Sequence, residues 1–270
     1  MKTKFLVLFL IAAISGSFLA LNYVSGSGGP KSEADTLIIE GEKHFKNMRM
    51  LTNGGENAEA YFSFDGTKII FQSTREPFEC DQIFTMNIDG SNQTLVSTGK
   101  GRTTCSYFYP DGKNILFAST HQASDVCPQK PDFSKGYTWA LYADYDIYKA
   151  GVDGSNPVKL TDVKGYDAEA TISPKGDKII FTSTRNGDID LYSMNLDGSD
   201  VKQLTNIAGY DGGAYYSYDG SMIVFRASRF DDPAKLKEYQ DLLAEGLIRP
   251  GMLEIYVMNA DGSNIRQVTN

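Results

Sequence analysis

The sequence has little of what most catalytic sites need. Of its 270 residues only His44 and His121 are histidines, and no Gly-x-Ser-x-Gly segment is present. Neither a histidine-based acid–base centre nor a serine elbow is therefore indicated. The acidic residues fall at repeated positions and form no unique pair. We expect a protein that binds and does not catalyse, with no cofactor and no bound metal ion.

Clustered positive charge is also absent. The chain has 26 Lys and Arg against 34 Asp and Glu, a net charge of -8, whereas nucleic-acid binding needs grouped basic residues. It has one Trp and nine Pro, but 26 Gly, 16 Tyr and 15 Phe. This composition is typical of a protein made of strands and turns.

The amino terminus has the pattern of an export signal. Lys2 and Lys4 precede an apolar run over 5–20. Residues 1–24 are predicted to be either a cleaved signal peptide or an uncleaved membrane anchor, and residues 25–46 a linker. Both alternatives predict a periplasmic or secreted protein, attached to the membrane only if the segment stays uncleaved.

Three cysteines, an odd number, allow at most one disulfide within the chain. We expect Cys105, which opens a strand, to pair with Cys80 or with Cys127 in the neighbouring loops. Three reduced thiols are the alternative, because sequence does not fix connectivity.

A repeated unit accounts for most of the chain. Asp-Gly turns recur at Asp89, Asp153, Asp197 and Asp261, with spacings of 64, 44 and 64 residues. The period is therefore 44 residues, and two units carry 20 more. A second Asp-Gly or Lys-Gly turn divides each unit further, giving two hairpins and four strands.

The repeat predicts an all-β fold, a β-propeller of four-stranded antiparallel blades. Strands such as 68–71 are apolar on both faces, as in sheets packed between other sheets. The predicted blades are 54–98, 99–162, 163–206 and 207–270. A stacked β-solenoid or separate sandwiches are the alternatives.

Residues 47–53 match the ends of later units. They are expected to form an outer strand that completes the last blade of a closed ring. Because the sequence stops directly after a repeat, at Asn270, we also expect a native ring with more blades.

The segment Phe62-Ser63-Phe64-Asp65-Gly66-Thr67-Lys68-Ile69-Ile70-Phe71 resembles the core of the repeats in the TolB propeller family. The resemblance covers residues 47–270. It implies a six-bladed ring in the periplasm, a central channel that receives a protein or peptide partner of the cell envelope, and a monomer. Two other functions stay open: the propeller of a larger exported prolyl-oligopeptidase-like hydrolase, and a glycan-binding propeller that uses Trp139.

A ligand is expected at one mouth of the channel, where innermost strands begin and second strands end. The candidate residues are Glu59, Arg75, His121, Trp139, Asp167, Glu169, Arg185, Asp211 and Arg229. Arginine forks there could hold a carboxylate, a peptide terminus or a charged loop. Alternatively, the repeated acids and arginines pair with one another and fix the ring.

Two insertions project on the same side. The first, 122–144, is rich in proline and aromatic residues. In the second, Asp232 followed by Pro233 is typical of a helix start and Gly246 of its end, so a short helix is predicted between them.

Overall fold

The computed structural model describes residues 39–270, and there the repeated units form four antiparallel four-stranded sheets. The prediction of an all-β propeller with four-stranded blades is confirmed. The predicted signal or anchor, 1–24, and most of the predicted linker lie outside the described residues. Within residues 39–270, no helix is both long and apolar enough to span a bilayer.

Each blade runs from an innermost to an outermost strand in chain order. Blade 1 consists of β1 (Glu56–Phe62), β2 (Lys68–Thr74), β3 (Gln82–Asn87) and β4 (Thr94–Leu95). Blade 2 consists of β5 (Thr103–Phe108), β6 (Asn114–Ser119), β8 (Asp146–Gly151) and β9 (Val158–Lys159). Blade 3 consists of β10 (Asp167–Ile172), β11 (Lys178–Ser183), β12 (Asp190–Asn195) and β13 (Lys202–Gln203). Blade 4 consists of β14 (Asp211–Tyr216), β15 (Met222–Ala227), β17 (Glu254–Asn259) and β18 (Arg266–Gln267).

The blades pack face to face in sequence order, and the innermost strands of neighbouring blades contact each other. Ile70 and Ile83 of blade 1 share one core with Phe108 and Phe117 of blade 2. Similar cores fill the seams between blades 2 and 3 and between blades 3 and 4. The apolar residues on both faces of each strand are therefore explained by two seams per sheet.

The two terminal faces are less covered. Phe62 of blade 1 is 66% exposed, whereas Phe108, at the same repeat position in blade 2, is 2% exposed. On blade 4, Val224 is 38% exposed, whereas its equivalent Ile180 is fully buried. The same side chains thus pack where a neighbouring blade is present and face solvent where none is.

The Asp-Gly turns fix the blades against each other. Gly198 has φ +85°, and a Cβ atom there would lie 2.5 Å from the carbonyl oxygen of Leu160 on the preceding blade. Glycine is thus required both for the backbone conformation and for the close approach. Gly90 approaches Leu51 in the same way.

Leu51 thus has the position that Leu160, directly after the outermost strand β9, has in blade 2. The segment 47–53 nevertheless forms no strand in this structure, contrary to expectation, and β18 is the fourth strand of blade 4. A role for this segment in closing a larger ring stays a prediction.

The two insertions are joined by a short sheet. β7 (Trp139–Ala140), in the first insertion, pairs with β16 (Leu247–Ile248), in the second. The predicted helix is α1 (Pro233–Ala244), which begins after Asp232, whose carboxylate accepts from the Ala234 N–H. A 3-10 turn, Phe133–Lys135, lies in the first insertion.

Candidate functional site

Each innermost strand has a β-bulge at the same repeat position. The pairing register shifts between Ala58 and Tyr61 in β1, and at the equivalent points of the other three blades. The residue at the bulge has a positive φ in every blade: Glu59 (51°), Cys105 (50°), Glu169 (53°) and Gly213 (58°). Bulges re-aim side chains, and these four positions all line one central cavity of about 380 Å³.

Glu169 is the most highly bonded of these residues. Its carboxylate accepts hydrogen bonds from the Tyr210 hydroxyl (2.8 Å), the Gly213 N–H (2.8 Å) and the Thr182 hydroxyl (3.0 Å). The Arg226 guanidinium lies 3.7 Å from it. Glu169 of blade 3 therefore binds blade 4 through Tyr210 and Gly213 and also attracts the guanidinium group of Arg226.

Arg226 lies in the space that Gly213 leaves open. A Cβ atom on Gly213 would lie 2.5 Å from Nε of Arg226. The guanidinium group is 5.7 Å from the ring centroid of Trp139 and 5.8 Å from that of Tyr210, so it also makes cation–π contacts. Because blade 4 has glycine at the bulge position, the guanidinium group of Arg226 can lie there.

Tyrosines lie two residues beyond three of the bulges. Tyr61, Tyr107 and Tyr215 meet with ring centroids 5.5 to 6.4 Å apart. The Tyr61 hydroxyl donates to Glu59. Burial, reinforced by Glu59, raises the pKa of Tyr61 well above its usual value. Tyr61 and Tyr215 form an aromatic wall of the cavity, and Tyr107 packs against both of them.

The first insertion covers a second cavity, of about 390 Å³, which we call the mouth cavity. It shares Glu59, Cys105, Glu169 and Arg226 with the central cavity, so the two adjoin. Seven aromatic residues line it: Phe133, Tyr137, Trp139, Tyr142, Tyr145, Tyr166 and Tyr210. The insertion thus turns an open channel end into an aromatic recess.

The disulfide differs from the prediction. Cys80 pairs with Cys127, with their Cα atoms 6.0 Å apart, and Cys105 is free. The expectation that Cys105 is a bridge partner is wrong, because the bulge directs its side chain into the channel. The actual bridge joins blade 1 to the first insertion. Burial, together with the charges of Glu59 and Glu169, raises the pKa of the Cys105 thiol.

Two of the predicted acid and arginine sets form ion pairs inside the blades. Arg185 lies 3.0 Å from Asp167, and Arg229 lies 2.6 Å from Asp211; both carboxylates are buried. Arg75 bonds to Ser73, Gln93 and Asn57. None of these five predicted residues lines the mouth cavity or the central cavity.

The same arginines also stack on aromatic rings of their own blades. Arg75 lies 4.7 Å from the centroid of Phe84, and Arg185 lies 4.9 Å from that of Tyr192. In blade 2 the position is taken by His121, whose ring centroid is 4.4 Å from that of Tyr148. Burial lowers the pKa of His121. His121 also lies outside both cavities.

Of the nine predicted residues, the structure brings together Glu59, Glu169 and Trp139 in the mouth cavity. Sequence reasoning did not identify Arg226 or Tyr210 there. The cluster of Tyr61, Tyr107 and Tyr215 could have been predicted from the sequence, because the three tyrosines stand at the same position of the repeat. In the described part of the chain, no group of three or more His, Cys, Asp or Glu residues could hold a metal ion.

No protein-family model matches the chain. A TolB homolog of Chlorobium luteolum is 26% identical over 144 residues, covering 45% of this chain and 33% of that protein. An uncharacterized protein of Agrobacterium fabrum is 29% identical over 122 residues, covering 45% of this chain and 34% of that protein. The chain spans about a third of the length of these curated relatives.

Solved structures share the fold. A proposed TolB from Agrobacterium tumefaciens has a TM-score of 0.57 and 22% identity, over 77% of this chain and 63% of that chain. TolB from Acinetobacter baumannii has a TM-score of 0.57 and 18% identity, over 80% and 44%. A puromycin hydrolase has a TM-score of 0.52 and 13% identity, over 79% and 31%.

The chain is thus a TolB-like β-propeller and a distant sequence relative of TolB homologues. The hydrolase similarity shows the shared fold alone. Disulfides persist in oxidising compartments. The Cys80–Cys127 bridge and the likeness to TolB together indicate an extracytoplasmic protein.

Proposed function

We propose that this chain is a periplasmic or secreted propeller and that it binds a protein or peptide partner in the mouth cavity. The observation that carries the proposal is the aromatic recess that the first insertion builds over the bulge residues. Recesses lined by aromatic side chains with a few convergent polar groups are typical of binding sites. Long loops on a rigid scaffold commonly carry recognition.

The recess is held in shape from several directions, as a binding site requires. The disulfide ties the first insertion to blade 1, and β7 ties it to the second insertion. At its base, Arg102 forms a 2.6 Å ion pair with Asp81. A partner would therefore meet a surface that is already ordered.

The chemistry of the recess favours binding over catalysis. The thiol of Cys105 has a raised pKa, which disfavours the thiolate that a nucleophile needs. His121, the histidine of the blades, stacks on Tyr148 outside the recess. The fold by itself leaves a hydrolase open, since a puromycin hydrolase shares it.

Site-specific photo-crosslinking in the native cell envelope tests the proposal. A photoreactive amino acid replaces Tyr137, which lines the recess and is 67% exposed. The matched control replaces Tyr218, which is 94% exposed in the turn between β14 and β15. We expect a defined protein adduct at position 137 that is absent at position 218. Adducts that are equal at the two positions, or absent at both, would contradict a partner at the mouth.

A further inference from the structure

The charged groups of the mouth cavity do not balance. Its charged lining residues are three carboxylates, Glu59, Asp81 and Glu169, and two guanidinium groups, Arg102 and Arg226. Arg102 is paired with Asp81 at 2.6 Å, and Arg226 lies 3.7 Å from Glu169. One carboxylate is therefore in excess.

The excess carboxylate is that of Glu59. This residue is exposed, and its carboxylate accepts a hydrogen bond from the Tyr61 hydroxyl of its own strand. The described side chains place no ion pair on it. Glu59 has the repeat position of Glu169, which is engaged by three donors and a guanidinium group. Blade 1 thus presents the same carboxylate with one hydrogen-bond donor, Tyr61, and no ion pair at salt-bridge distance, although the charge of Arg226 also acts on Glu59.

Aromatic residues that line the same cavity as Glu59 already contact a cation. Arg226 stacks against Trp139 and Tyr210 at the boundary between the mouth and central cavities. The ring faces of Trp and Tyr attract positive charge, most strongly where water is partly excluded. An acidic ligand group would instead meet Glu59 and Glu169 together, with Arg226 already engaged by Glu169.

We propose that the partner enters the mouth cavity with a basic side chain, a lysine or an arginine, whose charged end pairs with Glu59 within the aromatic lining to which Trp139 belongs. This inference rests on the proposed function and adds the chemistry of the anchor. Arg226 of blade 4 pairs with Glu169. In this proposal Glu59 is the other carboxylate, which binds a cation supplied by the partner.

Panning of a random peptide phage library on the full chain tests this anchor. We expect the enriched peptides to share a lysine or arginine at one position. The best sequence is then synthesised with an acetylated amino terminus and a fluorescent label, in a basic form and in a form with glutamine at that position. Binding is measured by fluorescence anisotropy.

The structure predicts a double-mutant cycle. Wild-type protein should bind the basic peptide about tenfold more tightly than its glutamine form, the range of a partly exposed charge pair. Glu59→Gln should bind the two forms equally. Glu56→Gln is the matched control, because Glu56 lies on the same strand, is exposed and lines neither cavity. It should retain the wild-type preference. Thermal unfolding followed by circular dichroism checks that both variants fold.

The outcomes separate the anchor from the proposed function. Peptides that are enriched without a basic residue, or that bind Glu59→Gln with the wild-type preference, would overturn the anchor while a partner site at the mouth stands. Affinity that needs a free amino terminus would overturn the side-chain assignment. The enriched peptides are also measured against Trp139→Ala and, as a control, against Tyr218→Ala. If no peptide binds Trp139→Ala more weakly than Tyr218→Ala, both the anchor and the proposed function fail.

Discussion

Two buried carboxylates at the seam of blades 3 and 4 should make the protein less stable at alkaline than at mildly acidic pH. Asp190 accepts from the Thr205 hydroxyl at 3.2 Å, and Asp211 accepts from Arg229 at 2.6 Å. The second oxygen of Asp211 is buried without a hydrogen-bond partner. Burial raises the pKa of Asp211 to about 7, and burial together with Asp188 raises that of Asp190 to about 6.

The sign follows from proton linkage. The folded state holds these protons more tightly than the unfolded state, so the stabilisation is complete below about pH 4 and is lost as the pH rises through about 6 to 7. Between pH 5 and pH 8, Asp190 titrates over roughly one unit and Asp211 over roughly two. At about 1.4 kcal/mol per unit, the free energy of unfolding should fall by about 4 kcal/mol.

Urea unfolding at pH 5 and pH 8, followed by circular dichroism, measures this fall. In Asp190→Asn the fall should be smaller by about 1 kcal/mol or more, because one titration is removed and its repulsion of Asp211 disappears. Asp219→Asn is the control, since the pKa of this exposed carboxyl is about 2 and lies outside the window. His121 acts in the opposite sense but is present in all three proteins. An Asp190→Asn protein that loses as much stability as the wild type would refute the reasoning.

Two further stability predictions use equivalent positions as internal controls. Phe108→Ala should cost about 3–5 kcal/mol, whereas Phe62→Ala, at the same repeat position but 66% exposed, should cost less than about 1 kcal/mol in urea unfolding. Equal costs would show that the face of blade 1 is covered in solution. Replacing Cys80 and Cys127 by serine should cost about 3–4 kcal/mol, because the bridge closes a loop of 47 residues, while Cys105→Ser should leave the unfolding midpoint nearly unchanged. A large loss with Cys105→Ser would place the bridge on the wrong cysteines.

The fold could be predicted from the sequence because every signal recurred. One Asp-Gly turn indicates one hairpin, but four of them, at an underlying period of 44 residues with two insertions of 20, indicate four similar sheets. The helix in the second insertion was predictable for a local reason. Asp232 and Pro233 are sufficient to begin it without any tertiary contact.

The site was only partly predictable, because its residues depend on bulges and on contacts between blades. Simple strand alternation places Cys105 beside the loops, but the bulge in β5 turns it towards the channel, and the bridge forms between the other two cysteines. Arg226 is the second-to-last residue of β15, and the absence of a side chain at Gly213 leaves the space in which its guanidinium lies. Neither effect can be seen in one strand taken alone.

The bulge position is where the four blades differ in chemistry while their backbones agree. The φ angles there span only 50° to 58°, yet the residues are Glu, Cys, Glu and Gly. A non-glycine residue with positive φ is strained, so a purely structural bulge would favour glycine in every blade. Three blades instead bear that strain and present a carboxylate or a thiol to the central cavity. The fourth has glycine, which admits Arg226. The bulge conformation is common to all four blades, whereas the side chains that it carries differ. They make the cavity asymmetric, because Glu169 accepts from three donors and lies beside Arg226, while Glu59 accepts from the Tyr61 hydroxyl of its own strand.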